Sequence, residues 1–179
     1  MTLHTAFRKM IFCAIFFIAC FSMPAAGQKK PQLTDAEIAS VAVTANKVDM
    51  GFADIALAKS KDTSILDFAQ TMKRDHQAII DQAVALVTKL GVTPKDNAVS
   101  QKLLADAAKT GKMLEAKSGK AFDKAYIDNE VSYHKAVIST VQEVLIPESQ
   151  NAELKALLQK VVPLLNAHLS HAEMLAKKY

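Results

Sequence analysis

The chain has 179 residues, half of them hydrophobic, with 5 Gly, 5 Pro and no Trp. That is enough for one domain with a sizeable core, and the composition favours a helical bundle over a sandwich or barrel. The formal charge of +4 includes Arg8 and Lys9, which lie in a segment expected to be removed; without a basic stripe or interleaved aromatics, nucleic-acid binding is not expected.

Residues 1–27 read as a secretory signal. Arg8 and Lys9 form the charged start, and Met10 to Phe21 is an apolar run too short to serve as a membrane span. Pro24 breaks the run, and Ala25-Ala26-Gly27 offers small residues for cleavage, leaving Gln28 as the new N-terminus. The expected destination is the periplasm or cell envelope, with no transmembrane helix in the mature chain. In a competing reading, Phe17-Ile-Ala-Cys20 resembles a lipobox and Cys20 carries a lipid anchor, although Phe fits the first box position poorly. Both cysteines, Cys13 and Cys20, fall in this segment. The mature domain therefore has neither a disulfide nor a thiolate ligand to offer.

After a polar lead-in over 28–34, the domain is expected to occupy 35–179. Thr34-Asp-Ala-Glu37 is a capping box. Helix one follows to about Ser60, with its stripe at Ile38, Val41, Ala45, Val48, Phe52 and Ile55 and with Asp49 beside it. Lys61 to Ser64 makes a tight turn with N-cap chemistry. Helix two runs to Leu90 on Ala69, Met72, His76, Ile79, Ala83, Leu86 and Leu90, an apolar stripe interrupted by one histidine. Gly91 ends it. Val92 to Gly119 is less regular, a crossover of one or two short helices broken at Thr110-Gly111. Helix three, capped by Ser118, reaches about Leu145 on Ile127, Val131, His134, Ile138, Val141 and Leu145, with Glu130 and Tyr133 on the adjoining face. Helix four runs from about Asn151 to Lys177, with His168 on its stripe and Pro163 expected to kink it.

Four long helices with a long, partly helical crossover between the second and third describe a ferritin-like antiparallel four-helix bundle, an all-α fold. The segments Asp49 to Ala58, Phe68 to His76, Gly119 to Tyr126 and Pro163 to His168 resemble a bacterial ferritin-like domain of unknown function. Its members are often described as predicted outer-membrane proteins. The resemblance spans Ala36 to Leu175 and implies the fold and an export route, with no activity attached. No alternating ten-residue strands are present, so the domain itself is not expected to be a β-barrel.

Counting residues from the two hairpin turns places Asp49 and His76 at one level, roughly 18–21 Å from the first turn. Glu130 and His168 are nearly level with each other on the second hairpin, and His134 is one turn away. Asp49, His76, Glu130, His134 and His168 are thus expected to converge. One reading is a site for one divalent metal ion, held by His76, His134 and His168 with Asp49 or Glu130 completing it. Imidazoles and carboxylates suit zinc, iron, copper or manganese. Such binding is expected to fade on acidification through the ordinary histidine range. The other reading is a structural or interaction module, its histidines hydrogen-bonded to Asp49, Asp75, Glu130 and the tyrosines. Metal-dependent redox catalysis is a third, but the paired Glu-x-x-His of di-iron bundles is missing. No phosphate loop, nucleophile motif or Met-rich tract is visible.

Overall fold

The computed structural model describes residues 32–179, so the expected signal segment and the alternative anchor at Cys20 lie outside the described residues. The described chain is a helical bundle: α1 Asp35–Lys59, α2 Thr63–Leu90, α3 Ala98–Glu115, α4 Gly119–Thr140 and α5 Ala152–Ala176. Among the described residues there is no strand, and no helix is long and apolar enough to cross a membrane.

The boundaries follow from local chemistry. The Thr34 hydroxyl accepts from the Glu37 amide while Glu37 accepts from the Thr34 amide, which makes the expected capping box. Asp62 caps α2 by accepting from the Ser64 amide at 2.8 Å. Gly91, at φ 63° and ψ 25°, closes α2 in the left-handed conformation that glycine adopts without steric cost.

Contacts at the two ends give the helix directions. Near the start of α1, the Lys95 amide donates to Ala36 O and Asn97 Nδ2 donates to Glu37 O. Near its end, Lys59 Nζ donates to Glu115 O, and Ser60 Oγ donates to Asp123 Oδ1 at 2.6 Å. So α3 runs parallel to α1 and returns the chain to the far end, where α4 starts back. The Gln150 and Asn151 amides both donate to Asp35 at 2.9 Å, bringing the start of α5 beside that of α1. Hence α1 and α5 point one way, and α2 and α4 the other. Asp35→Ala removes two bonds from this corner and a negative charge from the N-terminus of α1. It should cost about 1 kcal/mol, read as a lower urea midpoint at unchanged slope.

Two expectations are corrected. The crossover is one helix, continuous through Thr110-Gly111, because α3 lies against α1. A Cβ on Gly111 would sit 3.7 Å from Ile55 Cδ1, an ordinary van der Waals contact, so the packing here does not demand glycine. The helical path of α4 also continues past Leu145, through a π-helical segment at Val141–Leu145 and a last turn at Ile146–Glu148. The wider segment still buries both Val141 and Leu145. α5 is continuous through Pro163.

The core is divided. One apolar cluster includes Phe52, Phe68, Met72, Tyr126, Ile127 and Ala172. The other includes Ile38, Val41, Ile138, Leu158 and Leu165. On α4, Ile127 belongs to the first and Ile138 to the second, with Glu130 and His134 between. On α5, His168 similarly lies between Leu165 and Ala172.

Candidate metal centre

All five expected residues lie in this middle layer, each almost fully buried. Asp49 comes from α1, His76 from α2, Glu130 and His134 from successive turns of α4, and His168 from α5. The three imidazoles form a compact triangle. Their ring centroids are 5.7 Å apart for His76–His134, 5.2 Å for His76–His168 and 5.5 Å for His134–His168. Each ring offers one nitrogen within 4.8 Å of those of the other two.

Each ring uses its other nitrogen on a partner. His76 Nδ1 meets Asn46 Oδ1 at 2.7 Å. Since Asn46 Nδ2 donates to Ala42 O, its Oδ1 is an acceptor and His76 Nδ1 carries the proton. His134 Nδ1 donates to Glu130 O at 3.0 Å, and His168 Nε2 donates to Asp75 Oδ2 at 3.0 Å. Asp75 in turn accepts from Arg74 Nε at 2.9 Å. These partners set the tautomers. His76 Nε2, His134 Nε2 and His168 Nδ1 are left with bare lone pairs, buried and without a hydrogen-bond partner.

Asp49 faces two of them, with Oδ2 3.4 Å from His76 Nε2 and 3.6 Å from His134 Nε2. Neither Asp49 oxygen has a hydrogen-bond partner. Glu130 sits farther round, with Oε2 3.6 Å from His134 Nδ1, the nitrogen already committed to the backbone. Glu130, Asp49 and His134 form a second group of converging ligand atoms that shares His134 with the three-histidine group.

Burial drives the ionisation of the layer. It pushes the Asp49 carboxyl from 3.8 up to about 8. Burial and the neighbouring Asp49 raise Glu130 well above the ordinary carboxylate range. Burial, together with the other two histidines, pushes His76 from 6.5 down to about 3. Burial also takes His134 to about 4, and it lowers His168 against the opposing pull of Asp75. At neutral pH the rings are therefore neutral, the form that ligates metals, and Asp49 holds a proton.

The family model described as Domain of unknown function (DUF4142) matches residues 20–175. The chain belongs to the DUF4142 family. No curated protein and no solved structure matches it.

Within this DUF4142 domain, sequence reasoning missed Asn46. Its one signal was its place a turn before Asp49, on the side of α1 next to the stripe. The expected tyrosine partners of the histidines are not found. Tyr133 OH donates to Ala45 O at 2.8 Å, and Tyr126 OH is buried without a partner. His171 lies outside the layer, half-buried with its ring 5.1 Å from that of Phe68.

Proposed function

We propose that this DUF4142 chain is an exported, ferritin-like bundle that holds one divalent ion of the zinc class. The ligands are His76 Nε2, His134 Nε2, His168 Nδ1 and Asp49 Oδ2. The observation that carries the reading is the set of three buried imidazole lone pairs that converge beside Asp49 with no hydrogen bond made to any of them. A hydrogen-bonded network would satisfy these atoms, since unpaired buried polar groups are costly. Separations of 3.4 and 3.6 Å between Asp49 Oδ2 and the two imidazole nitrogens are long for O–H···N bonds. They fit two ligands about 2.0–2.1 Å from one tetrahedral ion, which lie ~3.4 Å apart. Neutral imidazoles and a carboxylate suit zinc, copper, iron or manganese. Asn46, the Glu130 carbonyl and Asp75 act as the outer partners that hold each ring in its ligating tautomer. Glu130 serves as a neighbouring carboxyl rather than the fourth ligand. The ferritin-like reading is supported by the helix directions and by the helical crossover α3. Export is supported by the charged start and the apolar run of residues 1–27.

The pH dependence differs from the fading through the ordinary histidine range expected from the sequence, because burial lowers all three rings. His76 and His134 are neutral down to about 3 and about 4, so they do not limit binding at pH 6. Asp49 does, because it holds a proton up to about 8 and must release it to ligate. Apparent affinity should therefore rise about tenfold per pH unit between pH 6 and 8, with about one proton released per ion.

Stability of the metal-free protein follows the same groups. The lowered histidine pKa values contribute stability that is present above 6.5 and lost as pH falls toward 3. The raised Asp49 value contributes stability that is present below 3.8 and lost as pH rises through 8. The stabilising effect of metal should therefore be larger at pH 8 than at pH 6. Melting curves of untagged protein with zinc, copper, manganese and iron(II) at both pH values test this. A rise with at least one ion, greater at pH 8, is expected; no rise with any ion at either pH would overturn the reading.

A further inference from the structure

Beneath the histidine layer, on the side of the second apolar cluster, lies a cavity of about 250 Å³. Its walls come from all five helices, and its space is left by small residues where a bundle core carries larger ones. Ala39, Ala42 and Ala45 lie on α1, Ala83 on α2, Ala107 on α3 and Ala136 on α4. Asn46 and Tyr133 line it as well, and Asn46 is also the partner of His76.

The polar groups on the walls are largely occupied within the protein. Asn46 is bonded to His76 and Ala42 O, Tyr133 OH donates to Ala45 O, and Thr140 Oγ1 donates to Ala136 O. Asp106, half-exposed at the rim, is paired with Lys102 and Lys109. The interior therefore presents aliphatic and aromatic surface, with no charge free to meet a charged ligand. An apolar cavity of ~150 Å³ stays dry and takes up benzene, and this one is larger.

The helix α3 gives a route in. Its two buried residues, Ser100 and Leu114, stand near its ends. Its ends are also tied to α1, through Asn97 to Glu37 O and through Glu115 O to Lys59. Between those ends Leu103, Ala107 and Thr110 line the cavity while half-exposed, and Ala136 opposite them on α4 is exposed.

We propose that this cavity is a binding site for a small, uncharged, hydrocarbon-like molecule of single-ring or short-chain size, entering along the seam between α3 and α4. The site uses none of the histidines, so it stands or falls apart from the metal reading. The test is a melting-temperature titration of the full domain with benzene, n-butylbenzene and n-hexane. The parent should show a saturable rise of about 3 °C with n-butylbenzene. Ala83→Leu and Ala42→Leu place three extra carbons each in the space. Both variants should fold, melt no lower than the parent and lose the response. His134→Leu, which removes no hydrogen bond from a wall group, should keep it. No rise in the parent with any of the three probes would overturn the proposal, as would a response that survives in both filled variants. Loss of folding in both would also contradict it, because a cavity of this size should admit a leucine.

Discussion

Replacing His134 with leucine should abolish the metal-dependent rise in melting temperature while leaving the metal-free protein as stable as the parent or more stable. The His134 ring is 1% exposed, and its only hydrogen bond goes to a carbonyl of its own helix. Leucine therefore orphans no side chain and relieves a desolvated imidazole. Metal affinity should fall by more than about 100-fold, since even the outer partners of ligands are worth 10–100-fold. The other two substitutions differ in their structural cost. His76→Leu leaves Asn46 Oδ1 unpaired, whereas His168→Leu leaves Asp75 with Arg74. All three should lose the metal response. A response that survives in all of them would place the ion elsewhere, with half-buried His171 as the first candidate.

The second large effect belongs to the other half of the core. Phe68→Ala should lower unfolding free energy by about 3–5 kcal/mol, a large fraction of the 5–15 kcal/mol available to a typical domain. Phe68 is fully buried, with its ring 6.2 Å from that of Tyr126 and 5.1 Å from that of His171. Alanine leaves a cavity among groups anchored on three helices, so collapse around it is restricted. Urea denaturation with an unchanged slope and a much lower midpoint is the expected result. A loss below about 1 kcal/mol would mean that this cluster repacks freely.

The convergence of Asp49, His76, Glu130, His134 and His168 was legible because helical rise is constant and both hairpin turns carry clear caps. Level along a bundle is then a matter of counting residues. Which carboxylate faces the rings was not legible. Glu130 and Asp49 are both at the right level, and only the rotation of α1 and α4 brings Asp49 Oδ2 to the free nitrogens of His76 and His134. The outer partners divide in the same way. Asp75 stands next to His76 in sequence yet serves His168, because adjacent helix positions point to different neighbours. Asn46 was hidden by its position beside an apolar stripe. The π-helical segment at Val141–Leu145 leaves the apolar spacing almost unchanged, so periodicity read it as ordinary helix. α3 is continuous through Gly111 while tied to α1 near both of its ends, and that tertiary anchoring offsets the local weakness of glycine in a helix. The cavity was likewise invisible, because its alanines read as good helix formers until five helices are assembled around them.

The account rests on three imidazoles and one carboxylate meeting at a single ion. The most direct test is the X-ray absorption spectrum at the zinc edge of untagged protein loaded with one equivalent of zinc at pH 8. The predicted result is a four-coordinate shell of nitrogen and oxygen at about 2.0–2.1 Å, with the outer-ring scattering of three imidazoles, reduced when His134 is leucine. A shell of water oxygens with no imidazole signal, or with one that is unchanged in His134→Leu, would contradict it.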